Sequence, residues 1–104
     1  MSGHELTVGP SVIRELVGLA ALEVPGVARV GRGGAPWRRL LGGRPVRVRV
    51  QEEGVTVRIW IVARPGQAIG PLAAQVRSAV AATVERLLGL DLRAVTVLVD
   101  GVGG

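Results

Sequence analysis

The side chains with recognition chemistry are concentrated in two stretches. RPVRVRVQEEGVTVRIWIVARP, residues 44–65, carries Arg47, Arg49, Arg58 and Trp60, and the glycine-rich GRGGAPWRRLLGGRP that runs into it carries Trp37, Arg38 and Arg39. A guanidinium is a permanent cation whose planar fork of donors matches carboxylate and phosphate oxygens. An indole can stack on such a cation or on a nucleobase. These residues therefore offer recognition of an anion or of a partner surface. A plainer use competes with it: long arginine stems can splay over a sheet while water screens their heads. For Trp37, Arg38 and Arg39 there are also two readings. One is an amphipathic contact with a membrane or partner; the other is a short helix packing Trp37, Leu40 and Leu41 on the domain's own sheet, where it would cover Trp60.

Groups that make and break bonds are scarce. The single histidine, His4, lies in a terminus expected to fray. Serine occurs at Ser2, Ser11 and Ser78, and none has the sharp strand-to-helix setting of a hydrolase nucleophile. Glu52 and Glu53 are adjacent, so on a strand they point to opposite sides, and a hairpin tip suits them better than a carboxylate pair. With no cysteine there is no thiolate, disulfide or sulfur-ligated metal. GRGG lacks the GK[ST] ending of a phosphate-cradling loop. An enzyme is not expected, nor a metal, a cofactor or a small-molecule substrate.

The elements that must position the arginines follow from periodicity. Val46, Val48 and Val50 alternate with Arg47, Arg49 and Gln51, and Val55, Val57, Ile59 and Ile61 alternate with Thr56, Arg58 and Trp60. Period-two alternation of β-branched residues predicts two half-buried strands. A two-residue turn at Glu53-Gly54 sets Val50 opposite Val57, Val48 opposite Ile59 and Val46 opposite Ile61. On the other face Arg49 then meets Arg58, and Arg47 meets Trp60. Upstream, after a short extended piece at Glu5–Val8, Pro10 suits the first turn of a helix whose inner stripe is Val12, Ile13, Leu16, Val17, Ala20 and Ala21. Pro25-Gly26 stops it, and GVARV follows as a short strand. Residues 31–43 read as a flexible glycine-rich linker with a helical turn at Trp37–Leu41. A second helix runs from about Pro71 to Leu88, with Leu72, Val76, Val80, Val84 and Leu87 inward and Gly89 as its cap. LRAVTVLV closes the chain as a strand. The expected architecture is α+β, a single-domain two-layer sandwich: a small mixed β-sheet with two long helices on one face and a terminal β-α-β unit. The arginine face is then the open side of the sheet.

Composition bounds the rest. A chain of 104 residues, 48% hydrophobic, is long and apolar enough for one domain with its own core, and disorder is excluded. Two tryptophans and no tyrosine or phenylalanine leave that core to Val, Leu, Ile and Ala. All 13 basic residues are arginine and the net charge is +5, which favours acidic partners, nucleic acid or anionic lipid. A GC-rich coding sequence would also produce the lysine-free usage. Neither a signal-peptide pattern nor an apolar run of the ~18 residues a membrane span needs is present. The expected location is cytoplasmic.

The order and spacing of these segments resemble the alkaline shock protein/Gls family of bacterial envelope stress-response proteins. The resemblance is carried by VGPSVIRELVGLAALEVPGVARV (8–30), VRVRVQEEGVTVRIWIVAR (46–64) and IGPLAAQVRSAVAATVERLLGLDLRAVTVLVDGV (69–102). Ala20-Ala21, Glu23-Val24 and Gly26-Val27 are similar to the family's helix ending, and Gly89-Leu90 with VTVLVDGV to its closing strand. What the resemblance implies is a non-catalytic adaptor or scaffold in cell-envelope homeostasis. Its partner would be a protein, in some members a membrane anchor, which adds the inner membrane face to the expected locations. Homo-oligomerisation through an uncovered strand edge is left open. The alternative function is single-stranded RNA binding on Arg47, Arg49, Arg58 and Trp60, although RNA-recognition sheets stack bases on two or three aromatics and here Trp60 stands alone.

Overall fold

Proline has no N–H to lose and a φ already fixed near the helical value, so Pro10 opens the first helix, α1 (Pro10–Leu22). In the computed structural model, which describes residues 8–33 and 43–103, α1 is followed by β1 (Val27–Val30), β2 (Val46–Gln51), β3 (Gly54–Ala63), α2 (Ile69–Ala82), a π-helical turn (Thr83–Leu87) and β4 (Leu92–Val102). Of the extended piece expected at Glu5–Val8 only Val8 is among the described residues, and the helical turn expected at Trp37–Leu41 lies outside them, as do Trp37, Arg38 and Arg39 themselves.

β3 is the axis of the sheet. β4 lies parallel along one side of it, and β3, α2 and β4 make the expected β-α-β unit. The other side is shared: β2 pairs antiparallel with residues 54–59 of β3, and β1 pairs antiparallel with residues 61–63. β1 and β2 run in the same direction, end to end, so they are two halves of one edge strand. The chain between them leaves and returns at a single position, Trp60. There the Gly31 N–H donates to the Trp60 carbonyl (2.9 Å) and the Trp60 N–H donates to the Pro45 carbonyl (2.8 Å).

One face of this mixed sheet carries both helices. Ile13, Val17 and Ala21 of α1 and Leu72, Val76 and Val80 of α2 meet Val55, Val57, Ile59 and Ile61 of β3, and all of these are buried. Each such aliphatic side chain removed from water contributes about 1.5–3 kcal/mol gross. Of the stripe expected on α1, Val12 is displaced to the margin at 46% exposure.

Two sequence expectations shift. The hairpin register is offset by two residues: Val46 faces Ile59, Val48 faces Val57 and Val50 faces Val55, with Glu52 and Glu53 at the tip. Faces are conserved under a two-residue slip, so the aliphatic side is still inward. The like-charged cross-strand pair becomes Arg47–Arg58, Arg49 sits opposite Thr56, and Trp60 is opposite Pro45. Gly54, at φ 134°, is the first residue after the tip, and a Cβ there would stand 2.6 Å from the Asp91 carbonyl oxygen. Leu87, expected inward, is 68% exposed. Core positions on α2 recur every four residues, at 72, 76, 80 and 84, and each step overshoots a 3.6-residue turn by about 40°. The π turn, closed by the Leu88 N–H on the Thr83 carbonyl (3.0 Å), absorbs that drift and brings Leu88 instead of Leu87 to the core. Gly89 then ends the helix at φ 67°, as its cap position requires.

Candidate anion-binding face

Strand alternation sends Arg47 and Arg49 of β2 and Thr56, Arg58 and Trp60 of β3 to the face away from the helices. Arg47, Val48, Arg49, Gln51, Thr56 and Arg58 line a shallow groove there of about 460 Å³. Arg47, Arg49 and Arg58 are exposed. Among the described residues, the ion pair within 4.0 Å is Arg93 with Glu53 near the hairpin tip, at 3.8 Å, and none of the groove arginines has one.

The far end of the groove is built differently. Trp60 faces outward yet is only 8% exposed. Past Gly31, the chain turns from β1 across the outer face of β3 and reaches β4 on the other side. The Gly33 N–H donates to Asp100 Oδ2 (2.9 Å), and the two backbones are so close that a Cβ on Gly33 would fall 1.8 Å from the Asp100 carbonyl oxygen. This crossing carries Arg32 over the indole. Its guanidinium carbon lies 4.2 Å from the Trp60 ring centroid, with Arg47 at 5.2 Å and Arg58 at 6.0 Å. The face expected to be open is therefore open over β2 and covered at Trp60, because the crossing segment lies on it.

Three cations around one indole are not self-sufficient. A guanidinium–indole contact is worth about 0.5–1 kcal/mol when exposed and about 2 when desolvated. Two unit charges at roughly 6 Å repel by about 0.7 kcal/mol in water and about 3 at an effective dielectric of 20. Arg47 and Arg58 are exposed and Arg32 is half-buried, so solvent screens part of that repulsion and a bound anion would relieve the rest. Arg32 also holds its Nε buried with no hydrogen-bond partner among the described residues.

Of the residues singled out in the sequence, the structure brings Arg47, Arg58 and Trp60 together and sets Arg49 two residues along the same groove. Arg32 was missed by strand alternation, since it belongs to no strand. A signal was present nonetheless: from Val24 to Gln51 the chain has seven arginines and no aspartate or glutamate. On the helical layer, a second concavity of about 460 Å³ is lined by Leu16, Leu19, Ala20, Leu22, Glu23, Thr83 and Leu87. Among the described residues there is no cluster of three or more metal-ligating side chains, and no helix is long and apolar enough to cross a membrane.

Comparison with known proteins bears on the fold and on the family. The fold is similar to that of the MamM CTD: a single-site variant in its manganese form aligns with a TM-score of 0.62 at 18% identity over 88% of this chain and 96% of that one. Another single-site variant, in its zinc form, gives 0.63 at 17% identity, over 88% and 84%. At such identities the likeness is one of fold. In sequence, the chain is 25% identical over 103 residues to the uncharacterized protein YqhY of Bacillus subtilis (strain 168), covering 94% of this chain and 76% of that protein. A family profile matches residues 2–103, nearly end to end. The chain belongs to the alkaline shock protein 23 family, whose function is cell envelope-related.

Proposed function

We propose that this protein is a non-catalytic adaptor of the cell envelope that docks an acidic segment of a protein partner, at the inner face of the membrane, in the arginine groove of its sheet. The observation that carries this reading is the row of exposed arginines on β2 and β3 without carboxylate partners among the described residues. Arg47 and Arg49 stand two residues apart on one strand face, a repeat of about 6.6–6.8 Å. An extended segment with a carboxylate at every second residue has the same repeat, so each of its acids can meet a guanidinium fork in turn. Guanidiniums and an indole bind and orient; at physiological pH they do not exchange protons. The cell envelope-related family supports the setting.

The test is fluorescence anisotropy of a labelled peptide alternating glutamate with serine, titrated with the full chain at low and physiological salt. Binding that weakens with salt and falls at least tenfold in Arg49→Glu is expected. An Arg49→Glu variant that binds as well as the parent, or a peptide that does not bind even at low salt, refutes the groove as a docking surface. If single-stranded RNA binds under those conditions and the peptide does not, the face belongs to nucleic acid instead.

A further inference from the structure

We propose that the Trp60 end of this face is a seat for a phosphate group, gripped by Arg32, Arg47 and Arg58. The inference rests on the reading of the sheet face as anion-binding and adds a second, smaller ligand to it. What singles out this end is the fixing of residue 32. The Gly31 N–H is held by the Trp60 carbonyl, the Gly33 N–H by Asp100 Oδ2, and the Arg32 carbonyl accepts from Arg29 Nη2 at 3.0 Å. Three hydrogen bonds thus pin the backbone on both sides of one arginine whose guanidinium is stacked 4.2 Å from the indole. An arginine that merely solubilises a surface needs none of this. A fork fixed before binding loses little freedom when it meets its ligand.

The direction of approach selects the ligand. Arg32 comes from the crossing segment, Arg47 from β2 and Arg58 from β3, so three elements each bring a guanidinium within 6.0 Å of one indole. A planar carboxylate offers two oxygens, whereas a tetrahedral phosphate offers one to each guanidinium and a fourth to solvent or to an ester carbon. The Nε of Arg32 is buried without a hydrogen-bond partner among the described residues. Residues 24–51 contain no carboxylate; the one beside residue 32, Asp100, is engaged by the Gly33 N–H and forms no ion pair within 4.0 Å among the described residues. Free phosphate and a phosphomonoester lipid headgroup share this chemistry. Because Arg47 and Arg58 also line the groove, phosphate in the seat would compete with an acidic segment, which makes docking sensitive to phosphate.

Trp60 is its own reporter. In a Trp37→Phe background it is the sole tryptophan, and its emission is followed while inorganic phosphate replaces chloride at constant ionic strength. A saturable change is expected, weakened at least tenfold in Arg32→Gln and unaltered in Arg77→Gln, which removes a charge from α2. On the native chain, millimolar phosphate should raise the melting temperature above that in chloride, a readout that does not depend on any variant folding. Flotation with phosphatidylcholine vesicles, with and without phosphatidic acid, separates the sources: selective recruitment to phosphatidic acid assigns the headgroup, and saturable phosphate binding without recruitment assigns the free ion. No saturable change, or equal weakening in Arg32→Gln and Arg77→Gln, overturns the seat. If the acidic peptide still binds in that case, the adaptor reading stands alone; if phosphate binds and the peptide does not, the seat stands and the docking groove falls.

Discussion

The crossing of residues 31–33 over β3 can be tested by one methyl group. In Gly33→Ala the new Cβ would sit 1.8 Å from the Asp100 carbonyl oxygen and 3.0 Å from its carbonyl carbon. Both are backbone atoms of a paired strand and cannot turn aside as a side-chain tip can, so the segment has to lift. Lifting breaks the Gly33 N–H to Asp100 hydrogen bond, worth about 1.5–3 kcal/mol because its acceptor is charged. It also draws Arg32 off Trp60, a further ~0.5–2 kcal/mol. Freeing the Gly33 backbone recovers about 1–2 kcal/mol, which offsets part of the loss. A net destabilisation of about 2 kcal/mol is expected, or a fall of roughly 8–16 °C in melting temperature at 4–8 °C per kcal/mol. The control is Gly31→Ala, where a Cβ meets nothing within 4 Å. Urea unfolding followed by circular dichroism compares the two, and Trp60 emission in the Trp37→Phe background reports exposure of the indole. If Gly33→Ala matches Gly31→Ala within about 0.5 kcal/mol, the typical spread of neutral surface changes, the crossing described above is wrong.

Other perturbations probe other parts of the fold. Leu87→Ser should leave stability almost unchanged, because the π turn holds Leu87 at 68% exposure, whereas Val84→Ala, at a fully buried site, should cost about 1–3 kcal/mol in urea unfolding. The opposite order would mean that the helix continues as a regular α-helix. Gly54→Ala combines a φ of 134° with a Cβ 2.6 Å from the Asp91 carbonyl oxygen, and should cost at least about 2 kcal/mol and loosen the β3–β4 pairing. Amide exchange at Val55, whose N–H is held by the Asp91 carbonyl at 2.7 Å, reads that loosening directly, and unchanged protection there would contradict it.

Much of this protein is local, and what is local can be read along the chain. Alternation of valine with arginine fixes which hairpin face is buried; Pro10 and Gly89 mark helix ends; the spacing Leu72, Val76, Val80, Val84 fixes the inner face of α2. These follow from short-range sterics and from the cost of leaving aliphatic surface in water. The hairpin register was legible only to within two residues, because a period-two pattern cannot distinguish a slip of two. The rest depends on contacts far apart in sequence. That β1 and β2 are halves of one edge, meeting at Trp60, is set by β3, on which both must pair. That Arg32 lies over Trp60 follows from the hydrogen bond between Gly33 and Asp100, 67 residues apart. No local propensity encodes such a pairing, since its free energy exists only once the sheet has brought the strands side by side. Local patterning along the chain is enough for two amphipathic layers with arginines outward; only the long-range pairing gathers three of them around one indole.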